Sequence, residues 1–388
     1  MLCTAASCQD VTNFMSICKP VLLAALLCLP GFAAAPYVIT NDENPSANSA
    51  TAYTLNTTTG ALTLTRILHT GGKALGGGFL GATGTVVASN AHCVFVADTG
   101  SNDIAAFTSP GYNLVGRFSN PAVSFSANGE GGSIALAPNG RSLYGAYTGS
   151  MNIGAWAVSS SCSLTFIAAY VPSVGADFFA YLAVAPSGSY LVVSAPDHEA
   201  AELFVIAKNG GLTDEGSVSF TANSTCASIG CFPTGIDITK DSTVVVFGNA
   251  TLEASALSVN VGSGGFSNPQ VWDLTNFSGA TGATVPFFSA AGYAGSGALY
   301  FSMNSGAVVT AQFTESPLSI TVTNSNVITQ GLPIDTIAAT GNTMVVAEVP
   351  NQIGVFRINS DGSLTLLENT TDNNAEPGFS LSVYPNTR

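Results

Sequence analysis

The chain has 388 residues, only 8% of them charged, and its 23 acidic residues against 9 Lys plus Arg leave a net charge of −14. That balance excludes nucleic acid and an anionic membrane surface as partners. Gly, Ser, Thr, Asn and Ala dominate, but a hydrophobic content of 46% arranged with period two excludes a disordered chain.

The amino-terminal residues 1–35 end in KPVLLAALLCLPGFAAA, a basic residue, an apolar run and an Ala33-Ala34-Ala35 cleavage pattern. This reads as a secretory signal, with Met15 as an alternative start, and the run is too short to span a bilayer. The expectation is a secreted or periplasmic protein. Removal of the leader takes away Lys19 and Asp10, keeps the charge at −14 and leaves four cysteines: Cys93, Cys162, Cys226 and Cys231. An even number in an exported chain favours disulfides. Cys226 and Cys231 enclose only ASIG and form the favoured pair; Cys93 pairs with Cys162 if adjacent sheets bring them together. No C-x-x-C spacing supports a zinc site.

The remainder, 36–388, reads as repeated four-stranded units within a single domain. Residues 37–70 supply three strands and lack a first; 84–120 give GTVVASN, CVFVADTGSNDIAAFTS and NLVGRFS. The third unit, GGSIALAPNGRSLYGAYTGSMNIGAWAVSSSCSLTFIAAYV, is the clearest: SIALAP, an Asn139-Gly140 turn, SLYGAYT, NIGAWAVS, a polar hairpin and LTFIAAYV. TGSNDI and TGSMNI after the second strand fix the register. A fourth unit runs from about Phe178, a fifth from Pro233, a sixth from near Val285 and a seventh from near Leu332. Each sheet has two apolar faces and needs a similar sheet on either side, which stacked copies provide. The lone apolar strand GFSLSVYP at the carboxyl terminus completes the first unit, joins the ends of the ring and removes an exposed edge. The expected fold is all-β, a seven-bladed β-propeller of four-stranded antiparallel blades, and a monomer.

Hairpins such as LNTTTGALTLT, IAKNGGLTDEG and INSDGSLTLLE, with turns such as ALAPNGRSLYGAYT and AVAPSGSYLVVSA, resemble the seven-bladed lactonase-type propellers. That family includes 6-phosphogluconolactonase of the cycloisomerase-2 type and the carboxymuconate-lactonising enzymes. YVITNDENP and FVADTGSNDIAAF also resemble YVTN-type repeats. The resemblance implies a lactone hydrolase or cycloisomerase acting on a small lactone or sugar, with His and Arg just ahead of the innermost strands. Here the corresponding pairs are Gly132-Ser133, Ala180-Tyr181 and Thr234-Gly235, and the pattern is not met. Apart from Tyr181, none supplies a proton-transfer group.

Fallback catalytic residues sit in SAPDHEAAEL, where His198 is flanked by Asp197 and Glu199; His69 and His92 lie at blade edges as solvated residues. Asp42, Asp98, Asp103, Glu348 and the 197–199 acids fall near second-to-third strand connections, and Glu130, Asp177 and Glu376 in fourth-to-first connections. Both sets open on one mouth of the channel. Asp98, Asn102, Glu130, Asp177, Glu348 and Glu376, with Asn41 and Asn128, are therefore candidate ligands for a small molecule, a cell-surface ligand or Ca²⁺, which prefers oxygen donors. Acids also serve simply to keep a lysine-poor chain soluble. The alternative to an enzyme is a non-catalytic propeller that binds a ligand, glycan or protein.

Overall fold

The computed structural model describes residues 35–76, 87–125, 132–175, 181–249, 255–274, 283–292, 297–303, 305–327, 334–348 and 350–386. The expected leader and alternative start fall outside these residues, as do Asn128, Glu130 and Asp177. The described strands form seven four-stranded antiparallel sheets, each a blade of a propeller ring, over residues 37–69, 87–118, 134–170, 182–219, 233–273, 283–327 and 334–371.

The first blade takes its innermost strand from the other end of the chain, as the unpaired terminal segment predicts. Ser380–Tyr384 pairs antiparallel with Tyr37–Asn41 from Tyr37↔Tyr384 to Asn41↔Ser380. The Tyr37 and Tyr384 rings stack with centroids 5.5 Å apart.

Period two explains why the blades stack. In Cys93–Asp98, Phe95 and Ala97 face the third blade, while Val94 and Val96 face the first. In Ser142–Tyr147, Leu143 and Tyr147 pack toward the second blade and Tyr144 and Ala146 toward the fourth. Each seam between neighbouring blades thus has its own apolar cluster, seven in all among the described residues. Each fully buried Leu, Val or Phe contributes roughly 1.5–3 kcal/mol.

Both disulfides form. Cys93–Cys162 joins the second blade to the last hairpin of the third, so neighbouring sheets do bring them together. Cys226–Cys231 closes around a single helical turn, Ser224–Ile229, where the chain passes from blade four to blade five. Asn223 caps that turn, its Oδ1 accepting the Thr225 amide at 2.9 Å.

Candidate functional site

The innermost strands surround a central channel with a volume of about 470 Å³. Strands three to seven residues long wall it, among them Val87–Ser89, Ile134–Leu136, Leu182–Val184 and Ile334–Thr340. Val87, Ile134, Leu182, Phe287, Ile337 and Leu381 belong to this wall, but their side chains are buried in the clusters between blades, and the surface the channel presents is nearly as polar as it is apolar. Tyr181 and Thr336 lie toward the mouth formed by the fourth-to-first connections; Pro138, Pro186, Lys240 and Asn386 lie toward the other.

Much of the polar capacity near this wall fastens the ring. Asp237 is buried, and its Oδ2 accepts the backbone N–H of Phe288 on the next innermost strand at 2.7 Å, while Oδ1 accepts that of Ile238 at 2.9 Å. Ser133 Oγ accepts the Leu182 amide at 3.1 Å, joining blades three and four. Ser89 and Ser382 hydroxyls meet at 2.9 Å across blades two and one. Asp237 and Lys240 are the charged residues in the described wall, and the sequence reading missed both as channel residues. The signal for Asp237 is a lone acid inside the innermost strand Pro233–Ile238, PTGIDI, where an apolar residue would otherwise stand.

The predicted catalytic group lies elsewhere. Pro196–His198 is a short 3-10 turn between the second and third strands of blade four; Asp197 and His198 are exposed, and Glu199 follows at φ 47° and is half-buried. None of the three is among the residues lining the channel.

The predicted acidic ring is dispersed, and several of its members are tucked into the blades. Asp98, the last residue of its strand, is fully buried; its Oδ1 accepts from Asn48 Nδ2 at 2.8 Å, while Oδ2 has no partner and lies against Gly72. Burial pushes its carboxyl up to about 7. Glu348 is buried at the corresponding end of blade seven, over Gly354, and burial alone pushes it up to about 7. Asp42 is also fully buried, accepting from the hydroxyls of Thr40, Ser49 and Thr51; burial, then the Asp372 carboxylate, pushes it up to about 6.

Asn102 has a structural use: its Oδ1 accepts the Phe125 amide at 2.8 Å and its Nδ2 donates to the Val123 carbonyl at 3.2 Å. Asn41 likewise bonds Glu43 and the Ala97 carbonyl. Asp103 pairs with Arg117, and Glu376 is exposed. Among the described residues no three His, Cys, Asp or Glu side chains converge on a position for a metal ion, so the Ca²⁺ expectation gains no site there.

With fold and channel in view, the chain can be set beside solved structures. A candidate 6-phosphogluconolactonase from Bacteroides fragilis superposes with a TM-score of 0.69 at 15% identity, over 91% of this chain and 99% of that one. A protein from Lactobacillus plantarum gives 0.69 at 14%, over 90% and 99%. The periplasmic gluconolactonase of Pseudomonas aeruginosa gives 0.65 at 15%, over 90% and 99%. The fold is that of the lactonase-type seven-bladed propellers. No family model matches the sequence, and no curated protein does either. At such identities the likeness speaks for the fold, and function has to be argued from the site.

Proposed function

We propose that this chain is an exported, monomeric lactonase-type propeller that binds a small molecule of lactone size in its central channel. The observation that carries this reading is the channel itself: ringed by seven innermost strands, about 470 Å³ in volume, and lined by polar and apolar surface in similar measure. The two disulfides fit an oxidising, extracytoplasmic compartment and agree with the leader read from the sequence. Among the described residues no helix is long and apolar enough to cross a membrane.

Binding is favoured over turnover on chemical grounds. Lactone hydrolysis needs a group that activates water and donors that stabilise the oxyanion. In the described wall the one carboxylate, Asp237, is engaged by two backbone amides. The lactonase reading retains His198, Asp197 and Glu199 as its candidate catalysts, and the lactonase names among the structural neighbours keep it in play.

The deciding experiment follows a panel of aliphatic and sugar lactones by pH-stat, and by calorimetry for binding, with and without Ca²⁺ and beside His198→Ala. Saturable heat without turnover is the expected result. Turnover abolished in His198→Ala would establish the hydrolase instead, and absence of both heat and turnover would remove the small-molecule reading.

A further inference from the structure

Each innermost strand pairs on one side only, so every blade turns a free strand edge to the channel. In an antiparallel ladder alternate residues send both main-chain groups to the partner strand, and the residues between send both away. In blade four the Tyr181 carbonyl and the Ala185 amide bond the second strand, which leaves Leu182 and Val184 facing the channel. In blade five the Thr239 amide bonds Val244 and Asp237 lies opposite Val246, which leaves Ile236 and Ile238. In blade six Phe288 turns its amide out of the ladder toward Asp237, so Pro286, two residues earlier, faces the channel as well. With most side chains buried in the seams, these main-chain groups supply much of the polar surface of the wall.

The arc formed by blades four to six is short of donors. Leu182 gives its amide to Ser133 Oγ at 3.1 Å, Ile238 and Phe288 give theirs to Asp237 at 2.9 and 2.7 Å, and Pro286 has none to give. Val184 and Ile236 keep theirs. The carbonyls of Leu182, Val184, Ile236 and Pro286 all face the lumen, and among the described residues none of them meets a protein donor. Asp237 adds a carboxylate to the same arc, while Lys240 is exposed beyond the end of the strand Pro233–Ile238. Across the lumen the balance differs: Val87, Ile134 and Leu136 each turn an N–H as well as a C=O to the channel. An arc of carbonyl oxygens holds a positively charged donor, because the dipoles replace its water and charge-assisted hydrogen bonds are strong. A volume of about 470 Å³ leaves room for an organic body behind that charge.

We infer that the channel takes a small cyclic molecule bearing a primary ammonium group, such as an α-amino lactone, with the ammonium against the carbonyls of blades four to six and its own carbonyl toward blades two and three. This rests on the channel being the binding site, as proposed above. Calorimetry of the full chain at about pH 6, below the usual α-amino value of about 8, compares α-amino-γ-butyrolactone with two neutral molecules of the same ring, γ-butyrolactone and α-acetamido-γ-butyrolactone. Tetramethylammonium, which carries the charge without an N–H, is added as a competitor. Two variants alter the donors and not the shape of the arc: Pro286→Ala gives it an N–H, and Ser133→Ala releases that of Leu182.

The expected result is saturable binding of the amino lactone, roughly tenfold or more tighter than either neutral ring and not displaced by tetramethylammonium. Each variant should weaken the amino lactone by roughly fivefold and leave γ-butyrolactone unchanged. The comparison of the three rings on the unaltered chain holds whether or not either variant folds. A neutral ring that binds as tightly, or displacement by tetramethylammonium, overturns the inference while leaving the channel as a binding site. Folded variants that bind the amino lactone as the unaltered chain does also overturn it, since the charge would then sit elsewhere. Silence with the amino lactone while the lactone panel above gives heat removes this inference alone, and silence with both removes the channel reading with it.

Discussion

The buried carboxylates of Asp42 and Asp372 share one hydroxyl: Thr40 Oγ1 lies 2.7 Å from Asp42 Oδ1 and 3.1 Å from Asp372 Oδ2. A hydroxyl has one proton to give, so it cannot donate to both at once. The arrangement sits beside the closing strand of the ring. Asp98 in the second blade and Glu348 in the seventh are buried at the same end of their blades, so a run of three neighbouring blades carries carboxyls that resist ionisation.

Stability should therefore increase on mild acidification. Asp42, Asp98 and Glu348 hold their protons more tightly folded than unfolded, up to about 6, 7 and 7. Their contribution is complete below the ordinary carboxyl value of about 4 and is lost as pH rises through those folded values. Asp241 works the other way, held low by the Thr239 and Thr243 hydroxyls against its modest burial, and its contribution is lost only as pH falls below about 4. Urea midpoints should peak between about pH 4 and 5 and fall toward pH 8, by on the order of 1 kcal/mol or more for each of the three groups. A midpoint that climbs from pH 5 to pH 8 would contradict this account.

Asp98 allows a sharper test at a single position. Its Oδ2 is buried without a partner against Gly72, so ionisation at pH 8 leaves charge density with little to solvate it. Asp98→Asn should raise stability at pH 8 by about 1 kcal/mol, with the gain vanishing near pH 5, where the native carboxyl is protonated. A Cβ on Gly72 would overlap the Asp98 carboxyl, so Gly72→Ala should cost roughly 1–3 kcal/mol. In an Asp98→Gly background, which removes the overlapping Asp98 Cβ as well as its carboxyl, most of that cost should disappear. Thermal melts of the four proteins in this cycle measure the coupling, and additive losses would place the Gly72 requirement elsewhere.

These carboxyls also mark where sequence reading stopped. Alternation in CVFVAD and SLYGAY identifies strands apolar on both faces, and from that the ring, its seven units and the use of the orphan GFSLSVYP follow. Period two says nothing about strand ends. Whether Asp98 or Glu348 points to solvent or folds back depends on a glycine from another strand or loop, Gly72 or Gly354, leaving room for it. The acids at one mouth were visible, but their dispersal into separate blades was not. Asp237 was passed over because the repeat pattern makes an innermost strand look uniformly apolar, while the structure uses that acid to fasten two strands. His198 was singled out because carboxylates flank it in sequence, and sequence does not say that its turn leaves it exposed and apart from the channel wall.

The two disulfides should differ in worth. Cys93–Cys162 closes a loop with a separation of 69 residues and ties two blades, whereas Cys226–Cys231 has a separation of 5 within one connection. Loop-closure entropy assigns about 4 kcal/mol to the first and about 2 kcal/mol to the second. Cys93→Ser with Cys162→Ser should lower the melting temperature well beyond Cys226→Ser with Cys231→Ser. Equal shifts would mean that strain in the folded state or residual structure in the unfolded chain, and not loop length, sets their contributions.

Ring closure is the most exposed dependency of the fold. Phe379, Leu381 and Val383 are buried in the cluster between the first and seventh blades, and Leu381, Ser382 and Val383 also form part of the channel wall. Removing residues 378–388 would strip the first blade of its innermost strand, open the Tyr37–Asn41 edge and break the channel at once. An unpaired edge beside an exposed apolar face invites pairing between chains. The truncated chain should therefore lose its cooperative melt, form oligomers by light scattering and fail to bind a channel probe. Leu381→Ala, which keeps the strand, should stay monomeric and cost roughly 2–5 kcal/mol. A synthetic peptide covering 378–388 should restore part of the cooperative transition, because the backbone pairs from Tyr37↔Tyr384 to Asn41↔Ser380 need no covalent link to form. If the truncated chain proved monomeric and melted cooperatively at an unchanged temperature, the first blade would not need its borrowed strand, and the terminal segment would owe its place to the channel alone.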